Sequence, residues 1–147
     1  MKARAALASL LLPLVALLFS SAARAATVVH ASLQDPSNPG VSAMHIALDR
    51  ASVPAGKVTF QAVNQSKDLV HELIVVRVDS PQATLPYDEK KQDVVEKRIH
   101  HLGEVPDLKP GRSGAMTLNL KPGHYLLICN QPGHYKAGMS APFTVTQ

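Results

Sequence analysis

Apolar residues recur at every second position along much of the chain, which is the period of a β-strand with one buried face. The pattern runs through residues 44–48, 57–64 and 116–120. Residues 27–33, which precede them, include several residues with β-branched side chains. Residues 69–78 have apolar side chains on both faces, which is typical of a central strand that is buried on two sides. These segments predict a protein built mainly from short strands.

Two more strands are predicted over residues 124–129 and 142–146, and turn-forming residues separate the strands, as in Lys-Pro-Gly at 109–111 and 121–123. Roughly seven or eight short strands joined by such turns predict an all-β, antiparallel sandwich. Residues 87–101 depart from the pattern, because they are rich in charge and carry apolar residues at rough helical spacing. We expect a long loop with a short helix there.

The N-terminal segment has the features of a secretory signal peptide. Lys2 and Arg4 precede an apolar run over residues 5–19, and residues 23–25 read Ala-Arg-Ala, an A-x-A cleavage site. An uncleaved anchor helix is the alternative, but a run of about 15 residues is shorter than the roughly 20 that span a bilayer. We therefore expect cleavage after Ala25 and one domain over residues 26–147 in the periplasm or outside the cell.

Composition and charge indicate an ordinary globular domain and no nucleic-acid-binding surface. The chain has 147 residues, of which 46% are hydrophobic and 18% charged, as is ordinary for a globular domain. The formal net charge is +4, but cleavage would remove three of the 15 basic residues and leave a net charge of +1 against 11 acidic residues. No basic cluster with interleaved aromatic residues remains, so we expect no nucleic-acid partner.

The chain has one cysteine, Cys129. An intrachain disulfide, a CxxC redox motif, an all-cysteine zinc site and a two-cysteine dinuclear copper site are therefore excluded. A free thiol in an oxidising compartment is exposed to oxidation. Ligation of a metal is one way to protect it.

Three potential metal ligands lie close together near the C-terminus. Four residues separate Cys129 from His134, and four more separate His134 from Met139, with two glycines that allow the loop to curl. His71 is the best candidate for a fourth ligand, because it lies in an apolar segment where an unpaired imidazole is costly to bury. A cysteine, two histidines and a weakly bound methionine form the ligand set of a mononuclear blue-copper site.

Each of these residues also has a simpler interpretation when it is taken alone. A buried cysteine is commonly a small core residue, a buried histidine commonly bonds to a backbone carbonyl, and a methionine commonly packs in a core. Zinc is the main competing metal, but structural zinc sites use cysteine and histidine rather than methionine. The combination at this spacing favours copper.

The C-terminal sequence resembles one known family. The segment YLLICNQPGHYKAGM, followed by PFTV, resembles the copper loop of the cupredoxins, and its spacing is most similar to that of auracyanins and rusticyanins. VTFQAVNQSKDLVHELIVV is similar to the family's first-histidine strand, and the resemblance covers residues 57–147. It implies a Greek-key β-sandwich with one type 1 copper ion. The equatorial ligands would be His71, Cys129 and His134, and the axial ligand Met139.

The residue after the first histidine departs from the family pattern. Plastocyanins and azurins often have asparagine at this position, where it ties the two ligand loops together, whereas this chain has Glu72. A carboxylate can also accept a bond from a backbone N–H group. The disulfide that is frequent among azurins is not possible with one cysteine.

Two functions remain open at this point. The resemblance implies a one-electron carrier. We expect it to act in the periplasm as a monomer and to dock transiently with redox proteins near His134, the ligand on the loop. The alternative is a copper-binding protein that sequesters or oxidises copper in copper tolerance. We expect no enzyme, because four protein ligands leave no open position for a substrate. The remaining histidines, His30, His45, His100, His101 and His124, are interpreted as surface residues, with a second, loosely held copper as the alternative.

Overall fold

The computed structural model describes residues 25–147. The predicted signal peptide therefore lies outside the described residues, apart from Ala25. No helix in the described part has the length and apolar character that a membrane crossing requires. The strands are β1 (Thr27–Gln34), β2 (His45–Leu48), β3 (Ser52–Pro54), β4 (Gly56–Asn64), β5 (His71–Val78), β6 (Tyr87–Asp88), β7 (Asp93–Val94), β8 (His100–Leu108), β9 (Ser113–Leu120), β10 (Gly123–Ile128) and β11 (Ser140–Thr146).

Most of these strands form two sheets that pack on each other. One sheet has the order β2-β1-β4-β9 and the other the order β3-β11-β10-β5-β8, while β6 and β7 form a small separate hairpin. The inward-facing residues of both sheets share one apolar core. Within it the rings of Phe60 and Phe143 meet edge to face, with 5.3 Å between their centroids. The predicted all-β sandwich is confirmed.

Two of the strand pairings are parallel, which the sequence pattern did not indicate. β1 pairs in parallel with β4, and β3 pairs in parallel with β11. The alternation of buried and exposed side chains is the same in parallel and antiparallel strands, so it predicts strands but not their direction. The other pairings in the two sheets are antiparallel, as expected.

The charged segment after β5 is only partly as predicted. A single turn of 3-10 helix at Glu96–Arg98 agrees with the expected short helix, and the hairpin of β6 and β7 precedes it. The end of the expected loop, from His100, belongs to strand β8, which was not predicted. Gly103 and Pro106 interrupt the apolar pattern of this strand, and both are tolerated because β8 lies at a sheet edge.

Strand β5 is buried on both faces, as its sequence predicted. Leu73 and Val75 belong to the core between the sheets. Ile74 and Val76 belong to a second apolar cluster, which includes Val94 from the segment between β5 and β8. That segment therefore covers the outer face of the five-stranded sheet.

A steric test of the sandwich is available at Gly114 of β9. A Cβ atom at this position would lie 2.4 Å from Cγ1 of Val105 and 3.2 Å from Cδ2 of Leu108, both on β8. We expect Gly114→Ala to lower the free energy of unfolding by about 1–3 kcal/mol, the usual penalty for overpacking a core. Chemical denaturation measures this change. In a Val105→Ala background the same substitution should be less harmful, and an equal loss in both backgrounds would contradict the steric explanation.

Candidate metal centre

The pairing of β5 with β10 brings two predicted ligands to the same end of a sheet. The strands are antiparallel and Ile74 lies opposite Ile128. The first residue of β5 is His71, and Cys129 follows the last residue of β10. Both residues are 0% exposed. The thiol and one imidazole therefore lie together inside the protein.

The loop between β10 and β11 returns to the same place. The backbone N–H of Cys129 donates to the carbonyl of Met139 at 3.1 Å, and the N–H of Met139 donates to the carbonyl of His134 at 3.0 Å. Gly133 and Gly138 have φ angles of +83° and +99°, a region that favours glycine. The expected curl of this loop is therefore present.

Three donor atoms form a small triangle. The Nδ1 atoms of His71 and His134 are 3.2 Å apart, and Sγ of Cys129 lies 3.4 Å from Nδ1 of His134 and 3.8 Å from Nδ1 of His71. A point equidistant from the three atoms is about 2.0 Å from each, close to the length of transition-metal bonds to imidazole and thiolate. The residues therefore fit one small transition-metal ion.

Met139 lies beside this triangle. Its side chain is 0% exposed, and its backbone bonds to Cys129 on one side and to His134 on the other. The structure thus brings all four residues of the predicted set to one end of the sandwich. In the described residues, His71, Cys129 and His134 are the one group of metal-ligating side chains that lies inside the protein.

Burial sets the protonation states of the three donors. It lowers the pKa of His71 and His134, although the hydrogen bond to Asp35 opposes this effect at His71. Both rings are therefore neutral near pH 7, as ligation requires. Burial raises the pKa of Cys129 to about 11, so the thiol holds its proton until a metal displaces it.

Asp35 also belongs to the site, although nothing in the sequence pointed to it. It directly follows β1, is 1% exposed, and places Oδ2 3.2 Å from Nε2 of His71. Burial acts to raise the pKa of Asp35, but hydrogen bonds from Ser37, Ser66 and His71 outweigh it and lower the pKa to about 2. The sequence around Asp35 indicates only a turn. The number of residues between Asp35 and His71 matches no recognisable motif.

Glu72 ties the two ligand segments together. The backbone N–H of Asn130 donates to Oε1 of Glu72 at 3.0 Å, and the N–H of Glu72 donates to Sγ of Cys129 at 3.5 Å. Glu72 thus accepts a bond from a backbone N–H group, as a carboxylate at this position can. Burial raises the pKa of Glu72 to about 7, and the charges of Asp107 and Glu104 add to the effect.

Asn130 connects the metal loop to the segment that covers the sheet. Its side-chain carbonyl accepts from the N–H of Val94 at 2.6 Å, and its amide donates to the carbonyl of Val94 and to Oε1 of Glu96. The N–H of Gly133 donates to the carbonyl of Gln92 at 2.7 Å. The charged segment therefore supports the loop that carries His134.

Among the histidines outside the predicted metal site, His101 lies near two other potential ligands, Glu96 and Glu104. Its ring lies 3.8 Å from Oε2 of Glu96 and 3.6 Å from Oε2 of Glu104, and all three side chains are partly exposed. A charged His101 forms an ion pair with each of the two glutamates. This group is separate from the buried one.

The thiol of Cys129 should be unreactive in the folded, metal-free protein. With a pKa of about 11, the reactive thiolate is about one part in a thousand at pH 8, and the side chain has no exposed surface. We expect iodoacetamide to modify Cys129 at least tenfold more slowly in the native protein than in guanidinium chloride. Mass spectrometry measures the rate without ambiguity, because the chain has one cysteine. Equal rates in the two states would contradict this picture of the site.

Part of this chain is similar in sequence to a known protein. No protein-family model matches the sequence. A stretch of 40 residues, 26% of this chain, is 52% identical to Auracyanin-B of Chloroflexus aurantiacus, and the match spans 17% of that protein's length.

Similar solved structures extend the likeness to most of the chain. A structure of auracyanin B has a TM-score of 0.56 and 27% identity, covering 83% of this chain and 90% of that one. Rusticyanin from Thiobacillus ferrooxidans has a TM-score of 0.57 and 18% identity, covering 81% and 76% of the two chains. The resemblance predicted from the C-terminal loop is confirmed by these likenesses.

Proposed function

We propose that this chain, a cupredoxin by its fold and by the sequence of its metal loop, holds one copper ion and carries single electrons. The observation that supports this most directly is the buried triangle of two Nδ1 atoms and one sulfur. Thiolate and thioether donors suit Cu(I), whereas imidazole accepts Cu(II). The donor set is therefore a compromise between the two oxidation states.

The proposed roles are those that the family resemblance implies. His71, Cys129 and His134 would hold the copper as equatorial ligands, and Met139 would be a weak axial ligand. When bound, copper supplies the one-electron change between Cu(I) and Cu(II). The hydrogen bonds that hold the loop at Cys129 and Met139 keep the donors in place, so little has to move between the two states.

Electrons enter and leave through His134 in this proposal. His71 and Cys129 are fully buried, whereas His134 is half-buried on the loop. Its neighbours Pro132 and Ala137 are exposed and uncharged. They form a small apolar surface on which redox proteins dock briefly, as weak electron-transfer complexes do.

The cellular setting belongs to the same proposal. Residues 1–25 direct export and are removed, and the protein works as a monomer in the periplasm or outside the cell. Four protein donors leave no coordination position for a substrate, which supports electron carriage rather than catalysis. The near-neutral charge after cleavage implies weak long-range steering of partners and a mild dependence on salt.

Copper binding is tested on the purified protein. We expect one equivalent of Cu(II) to produce an intense visible band from charge transfer between the thiolate and copper. Cys129→Ala should abolish this band. The variant Met139→Leu should keep copper, because the axial bond is weak, and should raise the reduction potential, because a weaker axial donor stabilises Cu(II) less. Absorption spectroscopy and metal analysis measure these outcomes.

Two results would contradict the copper proposal in different ways. A colourless wild-type protein that takes up stoichiometric zinc but not copper would overturn the choice of metal. Equal loss of copper in Met139→Leu and His71→Ala would show that Met139 is not an axial ligand.

The docking surface is tested by electron self-exchange between oxidised and reduced protein. We expect Ala137→Asp to slow self-exchange by about tenfold, because two new negative charges then face each other at the contact. Ala115→Asp is the matched control, since it adds the same charge at an exposed position on β9. NMR line broadening measures the rate. If charge reversal at Lys90 and Lys91 slows exchange while Ala137→Asp does not, the contact lies on the charged segment instead.

A further inference from the structure

Both ring nitrogens of His71 have defined partners. Nδ1 faces the donor triangle, 3.2 Å from Nδ1 of His134, and Nε2 lies 3.2 Å from Oδ2 of Asp35. The side chains of His71 and Asp35 are 0% and 1% exposed. A neutral imidazole has one N–H group, so a lone pair on Nδ1 for a metal requires the hydrogen on Nε2. That N–H group then donates to the carboxylate.

The carboxylate of Asp35 is held in place independently of His71. The backbone N–H of Ser37 donates to its Oδ1 at 2.7 Å, and its own N–H donates to Oδ1 of Asn38 at 3.0 Å. The amide of Asn38 in turn donates to the carbonyl of Gln65 at 2.6 Å. The turn after β1 is therefore fixed to the segment that leads into β5.

The backbone that carries His71 is also fixed from a second side. The buried amide of Asn64 donates to the carbonyls of Leu69 and Leu108, at 2.8 and 2.7 Å. Its carbonyl oxygen accepts from the N–H of Ser66 at 2.9 Å. The turn after β1 and the backbone of His71 are thus each held by hydrogen bonds of their own, and the bond between Asp35 and His71 forms between two fixed groups.

We propose that Asp35 is a positioning residue that acts through His71 and favours Cu(II) over Cu(I) at the metal centre. Its carboxylate fixes the orientation and tautomer of the ring. A carboxylate bonded to a metal-ligating imidazole also makes that imidazole a stronger donor. Its negative charge lies in a region that solvent screens poorly, where it interacts more strongly with the more positive oxidation state. This inference rests on the proposed copper site.

The test compares two variants that each lose one negative charge. Asp35→Asn keeps the shape of the side chain, and Asp49→Asn loses a partly exposed carboxylate that accepts from the backbone N–H of His30. We expect Asp35→Asn to weaken Cu(II) binding by about 10–100-fold and Cu(I) binding by less. Each tenfold difference between the two losses raises the reduction potential by about 59 mV. Asp49→Asn should leave the potential unchanged.

A purely structural role for Asp35 predicts a different result. The folded Asp35→Asn protein would then lose thermal stability but bind copper with an unchanged potential, and this outcome would overturn the inference. An equal shift in Asp49→Asn would overturn it too, because the effect would then be one of net charge alone.

A second measurement needs neither copper nor a variant that folds. Nitrogen-15 NMR of the metal-free wild-type protein should show the His71 ring with its hydrogen on Nε2, exchanging slowly with water. A ring protonated at Nδ1, or fast exchange at Nε2, would overturn the inference. A wild-type protein that shows the expected tautomer but binds no copper would instead refute the proposed function and leave the Asp35–His71 hydrogen bond standing.

Discussion

The antiparallel pairing of β5 with β10 is the constraint on which the metal centre depends. It places His71 and Cys129 at the same end of the sheet, within reach of one ion. One face of β5 packs in the core between the sheets and the other in the second apolar cluster. A shift by one residue would exchange the faces of Leu73 and Ile74 and would turn the ligands away from each other.

This arrangement is unfavourable until a metal arrives, since it buries three polar donors beside each other. The thiol keeps its proton and both imidazoles are neutral, so no net charge is buried within the triangle itself. Hydrogen bonds that Asp35 and Glu72 accept from the ligand segments hold the donors in position. The apolar packing of the sandwich thus provides the free energy that keeps the site assembled before binding.

The parts that could be predicted from the sequence are those encoded locally. The alternation in residues 57–64 indicated a strand, and the spacing of Cys129, His134 and Met139 indicated the metal loop. Asp35 was not predicted, because it approaches His71 only through the turn that follows β1. The parallel pairings and edge strand β8 were also missed, since local alternation does not encode strand direction and a proline at an edge conceals the pattern.

The two histidines of the site differ in their exposure to solvent and in their bonding partners. His71 is fully buried and bonded to a carboxylate inside the sandwich, whereas His134 is half-buried on a loop. The proposed role of Asp35 is to act through His71, inside the protein, on the relative stability of the two oxidation states. In the proposed docking mode, the exposed residues beside His134 contact the partner. The two proposals therefore predict that the potential and the exchange rate respond to substitutions at different positions, Asp35 and Ala137.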